Sequence, residues 1–349
     1  MILVNTPGNR NSTYPALLHS KWDGCTPTDL VFPFFMFIVG SAMWYSYKRY
    51  NYTLDRKLAL KILKRTLAIY LIGLLINACS AFSFDLSNIR IMGVLPRIAI
   101  GYGIASFIVL VVRLKWIKVI IAIILLLYWG ILLMFGGDFP FSLEGNFVRI
   151  FDTAVLGINH IPVLRGVSFD QTGLLSTFPS IANILLGYLA GNLIDKSEVK
   201  LTAVKRLILW GLAGIILANV WGLVFPINKL LWTSSFVLYT CGFASLLLGI
   251  LYWITDIKGI TKWAKPFQIF GMNSIFIYVL SELLAIGFWI RIIPSLAGRS
   301  VSIHNWIYDS VFIPIADPFN ASLLYAIAFT CFCWLVGWIL YHKKIFIKL

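Results

Sequence analysis

The chain has 349 residues, of which 60% are apolar and 12% charged, with 29 Lys and Arg against 14 Asp and Glu. A soluble domain carries about 25% charged residues, and mean hydropathy here is +0.87. Composition therefore excludes an ordinary soluble enzyme and predicts an all-α, polytopic integral membrane helix bundle. The net charge of +15 would suggest nucleic acid in a soluble protein. In a membrane chain Lys and Arg gather in cytoplasmic loops, so the bilayer is the expected partner and no nucleic acid is.

In chain order, Met1–Val4 is too short for a span or a signal peptide. It is expected to be the end of a truncated first helix, followed by a polar segment over 5–25. A span needs about 20 mostly apolar residues. Nine such stretches follow: 26–47, 60–82, 92–112, 116–136, 173–194, 205–225, 231–254, 267–290 and 321–341. A weaker stretch, 301–316, contains His304, Asp309 and Pro314 and reads as interfacial or re-entrant. The connections alternate in charge. Segments 48–59, 113–118, 195–206, 255–266 and the C-terminal tail, counted with the first turn of each following helix, hold 20 of the 29 basic residues. That set is predicted to be cytoplasmic, with the C-terminus. The opposite set includes Arg10, Lys21, Arg90, Arg149, Arg165, Lys229, Arg291 and Arg299. Segments 1–25 and 137–172 are thus predicted extracytoplasmic, in a single transmembrane domain over 1–349. The predicted location is a plasma membrane, the inner membrane if the source is bacterial.

Polar groups at membrane depth are costly and mark function. Asp29 opens a helix at Thr26-Pro-Thr-Asp29, where its charge also suits the helix dipole. Arg97 follows Pro96 one turn into a span. Asn228, Lys229 and Trp232 lie in Pro226-Ile-Asn-Lys-Leu-Leu-Trp-Thr233. Asn273, Ser274 and Glu282 share one predicted span with Tyr278. Asn183, Gly187 and Gly191 form a small-residue stripe suited to close helix packing. Of the four His, His19 is the candidate of interest, beside Trp22 and Asp23 at a membrane face. A neutral imidazole there can take a proton or be acylated. His160 and His304 have no partner visible in the sequence. The Cys residues 25, 79, 241, 331 and 333 show no metal-ligand spacing, and no metal is expected. No Walker, Gly-x-Ser-x-Gly or His-Glu-x-x-His motif occurs. From polarity alone, a transporter of a small polar solute is the alternative to an enzyme.

Several motifs in order resemble the catalytic membrane region of the heparan-α-glucosaminide N-acetyltransferase family and its bacterial relatives. They are Val4-Asn5, His19 with Trp22 and Gly24, Asp29–Gly40, Gly93-Val-Leu-Pro-Arg97, Gly173-Leu-Leu-Ser-Thr177, Pro226–Thr233 and Gly271-Met-Asn-Ser-Ile275. The resemblance implies acetyl transfer from cytosolic acetyl-CoA to an amino sugar or other glycan across the membrane. It implies His19 as general base or acetyl carrier, with Asn5 beside it. It leaves Asp29, Arg97, Asn228, Lys229, Trp232, Asn273, Ser274 and Glu282 as candidate contacts for donor or acceptor. By analogy it also implies a possible homodimer.

Overall fold

The structure, a computed structural model, describes residues 1–294 and 300–347; Arg299 lies outside the described residues. The helices in chain order are α1 (Ile2–Asn5), α2 (Pro27–Lys48), α3 (Arg56–Ala81), α4 (Val94–Val111), α5 (Leu114–Phe135), α6 (Phe147–Leu156), α7 (Thr177–Lys196), α8 (Lys200–Gly222), α9 (Ser234–Tyr252), α10 (Lys265–Met272), α11 (Ser274–Phe288), α12 (Ile303–Ile307) and α13 (Pro318–His342). Two short antiparallel ladders, Val163–Leu164 with Val167–Ser168 and Arg291–Pro294 with Ser300–Ser302, lie in connections. The all-α expectation holds.

The nine predicted spans fall on α2, α3, α4, α5, α7, α8, α9, the α10–α11 pair and α13. By length and composition seven of these helices can cross a membrane, or eight if the bent pair counts as one span. Two expectations change. Helix α3 is long, but Arg56, Lys57, Lys61, Lys64 and Arg65 load its first half, so its apolar part begins only at Thr66. The stretch 267–290 is not one straight helix, because α10 and α11 meet at a 72° bend. The break is at Asn273, whose backbone (φ −130°, ψ 34°) leaves the helical region. Its side chain bonds the tail instead: Nδ2 donates to the Ile345 carbonyl at 3.1 Å, and Oδ1 accepts from the Ile347 amide at 2.8 Å.

Contacts divide the chain into two compact units. The larger comprises Ser20–Cys25 and Asp29–Ile260. Within it α7 is the central helix, packing against α4, α5, α8 and α9. The most apolar stretch of α7 is 78% buried, against 28% for that of the peripheral α8. The small-residue stripe explains why α7 can sit there. A Cβ at Gly187 would lie 1.8 Å from the Phe37 carbonyl oxygen, and one at Gly40 would lie 1.8 Å from that of Ile184. Helices α2 and α7 therefore touch backbone to backbone, and a methyl at either glycine forces them apart. At one end of this unit the basic connections meet. Lys48 pairs with Asp195 at 2.7 Å, and the Lys200 ammonium donates to the Asp256 carbonyl at 3.0 Å. Three connections grouped by charge alternation thus adjoin.

The smaller unit comprises Met1–His19, Thr26–Thr28 and Thr261–Leu349. Helix α13 is its spine and touches α1, α10 and α11. Ile277, Phe329 and Cys333 form one buried cluster; Tyr308, Ala321 and Tyr325 form another. Cys241 and Cys333 are buried as small apolar residues, whereas Cys331 is exposed.

Candidate active site

In the larger unit the motifs that are far apart in sequence converge on one turn, residues 226–233. Thr233 organises it. Its hydroxyl donates to the Pro226 carbonyl at 2.8 Å and accepts from the amides of Asn228 (3.1 Å) and Phe236 (3.3 Å). The last bond caps α9. The Asn228 side chain accepts from the Leu231 amide at 2.9 Å and donates to Asp23 at 3.1 Å. Trp232, with φ +55°, sits in the left-handed region that bulky residues avoid. It is held there on several sides. Its indole N–H donates to Asn183 Oδ1 at 2.9 Å. Phe32 and Phe236 meet it edge-on at 5.1 and 5.3 Å. The Arg97 guanidinium lies over its ring at 4.7 Å.

Arg97 and Asp29 are both completely buried. Arg97 Nη2 donates to the Ser176 hydroxyl, and to the Gly173 carbonyl at 3.3 Å. The Asp29 carboxylate pairs with Lys229 at 3.1 Å, and the Lys229 side chain is only 13% exposed. The second Asp29 oxygen accepts from the Ser20 amide at 3.0 Å. Burial draws the Lys229 ammonium below its ordinary value, and the Asp29 carboxylate opposes that shift. Burial, with Asp29 beside it, pushes the Cys25 thiol up to about 12, so Cys25 is no thiolate nucleophile at neutral pH.

The Gly173–Thr177 motif gains a local explanation. Asp152, on α6, accepts from the Leu175 amide at 2.9 Å. A Cβ at Gly173 would lie 1.8 Å from Asp152 Oδ2. Thr177 donates to the Gly173 carbonyl at 2.8 Å. Only glycine leaves the carboxylate room at the start of α7. Burial pushes the Asp152 carboxyl up to about 7, against the Leu175 amide, which lowers it. Just before this turn Arg90 grips Asp170 through two nitrogens, at 2.6 and 2.9 Å.

In the smaller unit Asn5 Nδ2 lies 3.4 Å from Glu282 Oε1. Asn5 also lines a cavity of about 580 Å³, with Asn9, Trp289, His304, Asn305, Asp309 and Tyr325 on its walls. That size suits a small-molecule site. His304 is buried and stacks on Trp289 (4.4 Å between centroids, 16° between planes), while Tyr325 meets it edge-on at 4.7 Å. His304 Nε2 is 2.9 Å from the Gly8 carbonyl. A carbonyl can only accept, so Nε2 carries the proton. Burial holds the imidazole below its ordinary value, with the Gly8 carbonyl opposing. Gly8 is required here, since a Cβ would come within 2.5 Å of the Tyr308 ring. His160 also has a partner, donating from Nδ1 to the Ile89 carbonyl at 2.7 Å.

His19 is exposed and is not among the residues lining the Asn5 cavity. Its two neighbours are fixed. The Leu18 carbonyl accepts from Thr26 Oγ1 at 2.7 Å, and the Ser20 amide donates to Asp29. Of the other candidates, the structure brings Asp29 to Lys229, Arg97 to Trp232 and Asn5 to Glu282. It ties Asn273 to the tail and leaves Ser274 exposed at the start of α11. Sequence reading missed Asp152, Ser176 and Trp289, and noted Asp309 only as part of the weak stretch 301–316. Ser176 could have been found, since it lies inside a quoted motif. Trp289 and Asp309 carried no periodic or motif signal.

The family model described as "Heparan-alpha-glucosaminide N-acetyltransferase, catalytic" matches residues 19–217. Heparan-alpha-glucosaminide N-acetyltransferase of Mus musculus is 29% identical over 412 aligned residues, covering 100% of this chain and 58% of the mouse protein. That of Homo sapiens is 27% identical over 409 residues, covering 100% of this chain and 58% of the human protein. The chain thus spans just under three-fifths of the length of these relatives. The match extends from His19 through the motifs at Asp29, Arg97 and Gly173, and on that match the chain belongs to the heparan-alpha-glucosaminide N-acetyltransferase family.

Proposed function

We propose that the chain is a transmembrane acetyltransferase that moves the acetyl group of cytosolic acetyl-CoA to the amine of an amino sugar on the extracytoplasmic side. Family membership over 19–217 carries this reading. His19 is the reacting imidazole. In direct transfer the sugar amine attacks the thioester carbonyl carbon, His19 takes the amine proton, and the C–S bond breaks to release CoA. In stepwise transfer a His19 ring nitrogen attacks first and CoA leaves. The amine then displaces the imidazole from the acetyl-imidazole. Both routes need a neutral imidazole, the form with a free ring nitrogen that can take a proton or attack a carbonyl carbon. Sequential kinetics distinguish the first from the ping-pong kinetics of the second.

The cavity bearing Asn5 is a holding site for the sugar in this reading, apart from the reacting position, because His19 is not among its walls. Aromatic walls at Trp289 and Tyr325 suit the C–H face of a pyranose, and Asn305 and Asp309 suit its hydroxyls and amine. The concentration of basic residues in alternate connections supports a cytoplasmic side for those loops and for the C-terminus. The same argument puts segments 1–25 and 137–172 on the acceptor side, in a plasma membrane.

The test is transfer in proteoliposomes. Acetyl-CoA carrying a labelled acetyl group is supplied on one face and glucosamine on the other. The expected product is labelled N-acetylglucosamine on the glucosamine side, formed only when acetyl-CoA faces the basic loops. Absence of product with either orientation of the gradient overturns the proposal.

A further inference from the structure

We infer that Asp29 and Lys229 are positioning residues for His19, not contacts for CoA or for the sugar. This inference rests on the reading of His19 as the reacting imidazole. The observation behind it is the segment that follows His19. Every residue from Ser20 to Gly24 is tied to the larger unit. The Ser20 amide donates to Asp29 Oδ2 at 3.0 Å. The Lys21 carbonyl accepts from Arg165 at 2.8 Å. The Trp22 indole donates to the Phe141 carbonyl at 2.8 Å. Asp23 accepts from Asn228 at 3.1 Å, and the Gly24 amide donates to the Ile227 carbonyl at 2.7 Å.

Of these ties, the one adjoining His19 is the one reinforced by a full charge pair. The Asp29 carboxylate faces two ways. One oxygen binds the Ser20 amide, and the other binds the Lys229 ammonium at 3.1 Å. Asp29 is entirely buried, so without a countercharge its ionised form would be costly and the amide bond would weaken. Lys229 therefore acts through Asp29 on the peptide group next to His19. A hydrogen bond to an ionised acceptor is stronger than a neutral one, which suits a group that must hold a reacting side chain in place. Asn228 and the Gly24 bond anchor the far end of the same segment to the same turn, 226–233. That turn is fixed in turn by Thr233 and by the strained Trp232. The Lys229 charge thus points to the Asp29 carboxylate and, through it, to the Ser20 amide.

Two measurements on the full-length purified protein test this. The first is amide hydrogen exchange over residues 18–25 and does not depend on activity. Lys229→Met should speed exchange there about tenfold relative to the wild type, as expected for loss of a charge-assisted bond. Lys229→Arg, which keeps the charge, should restore slow exchange. Unchanged exchange in Lys229→Met overturns the inference. The second is steady-state kinetics of acetyl transfer. Lys229→Met should lower kcat about 100-fold while KM for acetyl-CoA stays within about twofold. In an Asp29→Asn background the same change should add no further loss, because its effect runs through Asp29. An undiminished further loss, with a raised KM for acetyl-CoA, means that Lys229 touches the donor and overturns the inference. Should Lys229→Met fail to fold, the double variant, free of the unpaired buried carboxylate, carries the kinetic comparison with Asp29→Asn. A wild type without transfer activity would sink the functional reading alone, since the exchange measurement still decides whether the clamp holds the segment.

Discussion

In the larger unit the candidate polar side chains are buried and face one another, whereas in the smaller unit exposed polar side chains face a cavity. Arg97, Trp232, Asn183, Ser176, Asp29 and Lys229 form bonds that run from one helix end to the next. Asn305 and Asp309 instead line open space beside Asn5. The difference teaches how to read polar residues at depth in this chain. In the first case the side chains pair inside the protein, although Arg97 Nε and Nη1 have no hydrogen-bond partner among the described residues; in the second they stand open to the cavity. The comparison can be broken by substitution, because stability and activity should respond in opposite order in the two regions.

The largest effect is expected at Arg97. Arg97→Met removes the charged donor that holds the Ser176 hydroxyl, the Gly173 carbonyl and the Trp232 ring, and should cost about 3 kcal/mol, the upper end for buried hydrogen bonds to a charged group. Thermal unfolding in detergent checks this. An unfolding midpoint within a degree of the wild type would contradict the structural reading of Arg97. Next is Gly173→Ala, which sets a methyl against the Asp152 carboxylate. It should destabilise by about 1–3 kcal/mol as an overpacked site, read by the same method.

Asp152 gives a pH-dependent test. Its carboxyl stands at about 7 in the folded protein, against an ordinary value of 3.8. The fold therefore favours the protonated form. That contribution is fully present below the ordinary value and is lost as pH rises through about 7. Asp152→Asn should remove this dependence. The midpoint difference between wild type and variant should accordingly shift in the variant's favour between pH 5 and pH 8. A constant difference across that range would count against a raised Asp152.

The cavity should answer differently. Trp289→Ala removes an exposed aromatic wall and should raise KM for glucosamine about tenfold with kcat little changed. Asn305→Ala should alter stability by less than about 0.5 kcal/mol, as a residue facing open space. Equal loss of stability at Arg97 and Asn305 would erase the contrast.

Much of the fold was legible in the sequence because lipid imposes a simple rule. Long apolar runs become helices, and their order and ends followed from 26–47 through 321–341. The Gly187 and Gly191 stripe was legible for the same reason, as close packing demands small residues. The break at Asn273 was not legible. It depends on bonds to Ile345 and Ile347, which are 72 and 74 residues away. The convergence of Asp29 with Lys229 and of Arg97 with Trp232 was only half legible. Each residue stood out as a polar group in the wrong place, but pairing needs three dimensions. Asp29 and Lys229 stand out in the sequence as charges at the edges of spans, and the structure pairs them with each other. His304 shows the limit most plainly. Its partner Gly8 is 296 residues away, and no spacing rule connects them.

The central claim is that His19 carries the acetyl transfer. The direct measurement is the rate of labelled acetyl transfer from acetyl-CoA to glucosamine by His19→Ala beside the wild type, with both proteins shown to have the same unfolding midpoint. The account predicts transfer by the wild type and a loss of at least about 1,000-fold in the variant, as for removal of a reacting general base or nucleophile. Transfer by His19→Ala at the wild-type rate would contradict it.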